Sequence, residues 1–447
     1  MKKVFIFLVV ISCLRTCPIN LYNRIQPLLK PDVPLDHNYL NATISCATIH
    51  NAFDWWSNKR SLANYLFGNV TIGDIYLTSK LASLEHFKLP GAPFGGVPSQ
   101  QFIASISHTK LDFYCHEKLY SLETLYYHRF CLNPEDSSIL LYAYLPIEHH
   151  ERTIDYDICQ GSLECSIGLS NIDNIKLFFM NYDDIKTFIH KEVFAPKRLC
   201  YQPRQYKTYI GDCSLYACYE KLYHRTLLMQ AGVFVGLPTG YKPEGRVLWE
   251  VGTSNYGVVT KGYVYGAFGS EYNFLNLYAN LELGCRWGYK QKMRVPQTKS
   301  SKNELTSYPY IYKNHTVTSF YEFDAKVPVF ADSIFPVRAH TRFEGSFSIG
   351  NIWQDICYQN ASLLTEYTVN FYGKQKYQPL CPVQGNKQLN INALSCWDVR
   401  QRQDFFVCAF VETSDGKGKA FLGLRKVIGG QNVPISSSIE FGLQAFW

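Results

Sequence analysis

The chain has 447 residues and a formal net charge of +7, with only 18% of its residues charged. Its lysines and arginines are scattered, which excludes the dense basic runs of a typical nucleic-acid binder. There is no Ser/Gly/Pro linker, low-complexity tract or heptad repeat, so composition marks no break between modules.

Met1-Lys2-Lys3, the apolar run Val4 to Leu14 and then Arg15-Thr16-Cys17-Pro18 predict a signal peptide over residues 1–17, or a short N-terminal anchor. The run falls short of the ~20 apolar residues of a spanning helix, and no later run reaches that length. Beyond it, 33 Tyr and 29 Phe are spread evenly among Val, Ile and Thr and punctuated by Gly, Pro and Asn. Aromatic and β-branched side chains suit a pleated, half-buried surface, so the chain reads as strands and turns. The clearest predicted strands are 138–145, 226–235, 262–268 and 405–411. Helical character is confined to 62–71 and 183–192. An all-β chain of this size must close or stack its sheets to hide their edges. Sandwich arrays and a propeller both do so. Six four-stranded blades fit the length and the lack of linkers, although no ~40-residue repeat is visible. The expectation is a single disulfide-rich, six-bladed β-propeller over residues 18–447.

The chain contains 15 Cys. Setting aside Cys13 in the apolar run leaves an even number, and in an exported chain that favours disulfides over metal ligands. Cys159/Cys165, Cys213/Cys218 and Cys396/Cys408 are the candidate local pairs. No Cys-x-x-Cys occurs, and no histidine pair stands in register with cysteines, so no metal and no cofactor is predicted. Sequons at Asn41, Asn69, Asn314 and Asn360 are candidate glycan sites and surface-loop markers.

Several segments occur in a suggestive order. They are Cys213-Ser-Leu-Tyr-Ala-Cys218, Pro243-Glu-Gly-Arg-Val-Leu-Trp-Glu-Val-Gly-Thr-Ser254, Tyr308-Pro-Tyr-Ile-Tyr-Lys-Asn-His-Thr316 and Cys396-Trp-Asp-Val-Arg-Gln-Arg-Gln-Asp-Phe-Phe-Val-Cys408. Together they resemble the receptor-binding head of paramyxovirus attachment glycoproteins over roughly residues 200–425. The resemblance implies a six-bladed propeller whose axis holds a sialic-acid site or its relic. It implies Glu244 at the axis, Asp136 as acid/base, Tyr372 (or Tyr367) as nucleophile and Glu412 in the last blade. Arg246, Lys261, Arg338 and Arg342 are the implied binding candidates, because a planar guanidinium pairs two-pronged with a carboxylate.

Set against that pattern, Gly96 stands where the first clamp arginine is expected and Lys261 where the second is. Losing two such forks removes several charge-assisted bonds of ~1.5–3 kcal/mol each. The expected function is therefore a virion- or cell-surface glycoprotein, or a secreted one, that binds a host protein receptor to mediate adhesion and infection without enzymatic activity. Alternatives are an active sialidase that binds and cleaves a sialylated glycan, a sialate-esterase-like protein suggested by Gly211-Asp-Cys-Ser214, and a secreted decoy. A viral fusion protein is an implied partner, although the chain shows no stalk to trigger one. Homo-oligomerisation stays open.

Overall fold

A computed structural model describes residues 38–54, 56–67, 70–71, 110–133, 137–158, 200–224, 226–247, 250, 252, 256–269, 275–295, 297–299, 333–353, 361–381, 387–389, 399–413 and 418–446. In its first part lie β1 (Asn38–Ile49), β2 (Asn51–Phe53), β3 (Lys59–Ser61), the short helix α1 (Leu62–Phe67), β4 (Val70–Thr71), β5 (Lys110–Asn133) and β6 (Ser137–Ile158). The middle holds β7 (Arg204–Ile210), β8 (Cys213–Tyr223), β9 (Leu227–Leu237), β10 (Val259–Phe268), β11 (Leu275–Arg286), β12 (Tyr289–Val295) and β13 (Gln297–Lys299). The last part holds β14 (Ser333–Ala339), β15 (Arg342–Trp353), β16 (Ala361–Tyr372), β17 (Tyr377–Pro379), β18 (Lys387–Leu389), β19 (Gln401–Glu412), β20 (Gly418–Gln431), β21 (Val433–Ile435) and β22 (Ser437–Phe446).

The strand register makes a ring. One antiparallel sheet runs β5-β1-β22-β20-β19-β16-β15-β11-β10-β9-β8-β6, and β6 pairs back onto β5 from Leu111↔Ile158 to Asn133↔Ser137. Twelve strands thus close a barrel and leave no open edge within the ring. β5 and β6 run on beyond their neighbours at one rim, where β4 and β7 add to their flanks.

The six-bladed propeller expectation is therefore corrected. Separate blades would need sheets of four strands with free outer edges, whereas here a single sheet passes through every long strand. Alternation with aromatic and β-branched residues serves both architectures equally, so composition could not separate them. The predicted strands fall on β6, β9, β10 and β19, with 226 one residue ahead of β9, and the 62–71 helix shrinks to α1; residues 183–192 and the signal peptide 1–17 lie outside the described residues.

Connections divide by rim. Those at 134–136, 224–226, 269–274, 354–360 and 413–417 are short and share one rim with Asn38 and Phe446. Those at 50–109, 159–212, 238–258, 287–341 and 373–400 are long and share the other rim, together with one short connection, 432–436, between β20 and β22. There, small sheets β12-β14-β17, β13-β18 and β21-β2-β3 organise the loops. The β21-β2-β3 corner is held by Asp54, which accepts the N–H groups of Trp56 and Asn58 at 2.9 Å each and the Arg60 Nε at 2.6 Å. Burial works to raise its carboxyl, but those backbone donors and then Arg60 outweigh it and hold Asp54 below the usual carboxylate range.

The disulfide expectation is also corrected. Cys213 and Cys218 lie on the same strand an odd number of positions apart, so their side chains leave opposite faces. No disulfide joins any two described cysteines. Cys159, Cys165 and Cys396 lie outside the described residues, and Cys408 is buried on the inner face of β19.

Candidate functional site

The two faces of the barrel are chemically inverted relative to a water-soluble sheet protein. In β11 the outward residues Leu277, Leu281 and Leu283 are exposed, while inward Tyr278, Asn280, Glu282 and Arg286 are buried. β6 repeats this with Ile139, Leu141, Leu145 and Ile147 outside and Ser138, Tyr142, His150 and Arg152 inside. Leu122 and Tyr126 on β5, Val233 on β9, Phe347 and Ile349 on β15, Phe405 on β19 and Phe441 and Leu443 on β22 carry the apolar band around the ring. Outward charges among the described strand residues sit near the rims of the ring, as with Lys118 and Glu151, paired where β1 ends, and Lys221 and Lys426.

The interior is built from ion pairs set between aromatic clusters. Lys261 on β10 faces Gly284 of β11 in the register. A Cβ at Gly284 would stand 2.0 Å from the Thr260 carbonyl and 2.5 Å from the Lys261 Cα, so only hydrogen fits there. Lys261 reaches diagonally to Glu282, donating to Oε2 at 3.1 Å. Arg286 and Arg342 stand directly opposite one another on β11 and β15. Like charges so placed repel, and Glu344 resolves the conflict by accepting Arg286 Nε at 2.6 Å and Arg342 Nε at 2.9 Å on the same oxygen. Tyr372 pairs with Glu344 across β15–β16, and the Arg342 guanidinium lies 5.4 Å from its ring centre. Arg402 forks onto Asp404, which also takes the Asn370 amide.

Across the ring, Glu220 accepts from Arg129, from Ser138 Oγ at 3.0 Å and from Gln230 Nε2 at 2.7 Å. Glu117 takes Arg152 at 2.9 Å and His150 at 2.5 Å, and Glu440 takes Arg425 at 3.1 Å. Between these pairs lie two apolar patches. One is Leu125, Tyr127, Tyr142, Tyr216, Phe234 and Val259; the other centres on Tyr265, Tyr278, Leu364, Phe406 and Phe410.

The sequence candidates scatter over this frame. Lys261, Arg342 and Tyr372 do come together, around Glu344 inside the barrel. Glu244 instead lies in the 238–258 loop, half-exposed and paired with Arg246 at 3.1 Å and Lys292 at 3.5 Å. That loop is organised by Glu250, which accepts the N–H groups of Glu244 and Gly245 and the Tyr241 hydroxyl. Gly245 has φ 74°, the left-handed turn that glycine adopts freely. Burial and then the Glu250 carboxylate push the Tyr241 hydroxyl up to about 12. Arg338 is exposed on β14. Glu412 ends β19 opposite Lys419 in the register, and Asp136 lies outside the described residues. Asn41 sits within β1 rather than in a loop; Asn69, Asn314 and Asn360 are outside the described residues. Sequence reasoning missed Glu117, Arg129, Glu220, Glu282, Arg286, Glu344, Arg402 and Asp404. The signal was present as charges spaced two apart between apolar residues.

No protein-family profile matches the sequence, and no curated protein matches it. Many solved structures align over most of the chain, three of them as follows. An outer membrane channel of Pseudomonas putida F1 is 10% identical and covers 95% of this chain and 100% of its own, with a TM-score of 0.47. The P. putida toluene transporter TodX is 6% identical, covering 97% and 95%, with a TM-score of 0.38. The transport unit of the Escherichia coli autotransporter AIDA-I is 7% identical, covering 96% and 92%, with a TM-score of 0.35. These superpositions are loose, and the barrel rests on its own register.

The viral-attachment expectation is overturned with the propeller that carried it. No propeller axis exists for Glu244 to occupy, and the three candidates that meet line the inside of a barrel wall. The host receptor, sialylated glycan and fusion-protein partners fall with it, as do the virion and secreted locations.

Proposed function

We propose that this chain is a membrane-spanning β-barrel of the outer-membrane type, and that its charged interior is a narrow conduit for small polar solutes. The inverted faces carry this reading. In water, exposing that many Leu, Val, Phe and Tyr side chains around a whole ring is unfavourable, whereas a bilayer is the medium in which an apolar outside and polar inside is the stable arrangement. Most wall strands have 10 to 12 residues, matching the ~9–11 that a tilted strand needs to cross a hydrocarbon core. Short turns throughout one rim, and long loops at five of the six connections on the other, fit the same class. The predicted export signal at residues 1–17 supports a route to such a membrane.

Solute passage is supported by the lining. An apolar filling would close a barrel more cheaply than paired charges, and ionisable groups at membrane depth generally mark a solute path. Twelve strands stand between the filled eight-strand barrel and the water-wide sixteen-strand porin, and the lining side chains are buried, so the path suits small solutes. The test is single-channel recording of the refolded protein in planar bilayers. Discrete conductance whose ion selectivity changes in Glu344→Gln and Lys261→Met is expected. A bilayer left silent by the wild type, together with vesicles that stay impermeable to small sugars and ions, would remove the conduit reading.

A further inference from the structure

The outer surface at the long-loop rim carries a histidine cluster that lies apart from the interior. His50 directly follows β1, and its carbonyl accepts the Leu62 N–H at 2.8 Å, which fixes it where α1 begins. His116 points outward from β5. The β1–β5 register, which pairs Thr48 with Lys118 and Ile49 with Glu117, brings His50 alongside it. Their Nδ1 atoms are 3.2 Å apart, with ring centres 4.5 Å apart and tilted by 35°. His50 is exposed and His116 half-buried, so one side of the pair faces solvent.

Two nitrogens at that separation can each stand ~2.0–2.1 Å from one shared ion, subtending an angle of ~100°, which tetrahedral and octahedral centres both accept. Imidazole suits copper, nickel and zinc better than magnesium or calcium. Lys118, two residues on from His116 on the same face of β5, carries an unfavourable charge, and it is offset: its Nζ lies 4.0 Å from Glu151, whose other oxygen is 3.7 Å from His149 Nε2. His149 is engaged elsewhere, its Nδ1 2.7 Å from the Thr208 hydroxyl. Among the described residues no group of three or more His, Cys, Asp or Glu side chains converges, so water would complete the coordination shell.

We infer that His50 and His116 form a two-histidine chelate for a divalent transition-metal ion at the long-loop rim, outside the bilayer. The site stands on geometry of its own and holds whether or not the interior conducts.

The experiment uses the full chain without a polyhistidine tag, refolded in detergent, stripped of metal and titrated with Cu²⁺ alone at neutral pH. Calorimetry should give one ion per chain, and electron paramagnetic resonance should show coupling to two nitrogens. His50→Ala and His116→Ala should each weaken binding by roughly tenfold or more, since even outer-shell partners of metal ligands typically cost about that much. His149→Ala should leave it unchanged. In the unsubstituted protein, Cu²⁺ should also protect His50 and His116 from acylation, a readout that needs no variant to fold. Equal binding by the His50→Ala/His116→Ala double variant, a spectrum without two-nitrogen coupling, or an equal loss in His149→Ala would overturn the site. Such an outcome would leave the pair as a hydrogen bond between imidazoles.

Discussion

Replacing Leu281 by arginine places a charge in the middle of the outer belt of β11. Leu281 is 42% exposed and lies between Val264 at 50% and Phe347 at 41%, its partners on the two adjacent strands. If water bathed this face, the substitution would change stability by no more than about 0.5 kcal/mol, as exposed positions usually do. Against lipid it should cost about 2–4 kcal/mol near the bilayer middle. At ~1.36 kcal/mol per factor of ten, that is roughly a 30- to 900-fold loss in the folding equilibrium. Thr153→Arg is the control, outward on β6 but on the extension beyond the belt, where about 0–1 kcal/mol is expected. Denaturant titration in lipid vesicles, followed by the fluorescence of the chain's 7 tryptophans, reads both. A Leu281→Arg shift no larger than that of Thr153→Arg would refute the lipid-facing assignment.

Three further outcomes are expected. Glu220→Ala removes the buried carboxylate that Arg129, Ser138 and Gln230 share. It should cost about 3–5 kcal/mol in the unfolding midpoint, much of it regained when Arg129 is also made apolar; a double variant as weak as the single would contradict this. Gly284→Ala should destabilise by about 1–3 kcal/mol, because the added methyl meets backbone that cannot move aside cheaply; a neutral result in thermal unfolding would show the β10–β11 register to be wrong. Asp54 is held below its unfolded value near ~3.9, so its stabilisation is full above that pH and lost as pH falls through the lower folded value. Hydrogen exchange of residues 51–61 should therefore open in acid in the wild type. In Asp54→Asn it should be open already at neutral pH, and equal protection of the two proteins would count against the corner's design.

The strand content was legible in the sequence because aromatic and β-branched alternation is local. The two faces of each strand were legible too, but not which medium each one meets. In Leu275-Asn-Leu-Tyr-Ala-Asn-Leu-Glu-Leu-Gly-Cys-Arg286, leucines alternate with amide and charged residues, and a chain assumed to live in water buries the leucines. The structure buries Asn280, Glu282 and Arg286 instead. Ring closure could not be read, since β5 and β6 are neighbours in any hairpin and only β1 pairing with both β5 and β22 joins the chain's two ends into a circle. Short and long connections alternate along the chain as far as β20, a pattern that strand composition does not show. Lys261, Arg342 and Tyr372 were chosen on motif order, and they meet around Glu344 because the β10–β11–β15–β16 register places them there.

A membrane-spanning barrel requires that its outer belt touch lipid. Single nitroxide labels placed in turn from position 277 to 283 on β11, in vesicles, test it directly through collision with oxygen and with a water-soluble nickel chelate. Oxygen access should alternate with period two, high at 277, 279, 281 and 283 and low at 278, 280 and 282. Odd positions that collide freely with the nickel chelate, or a profile without alternation, would contradict the membrane-spanning barrel.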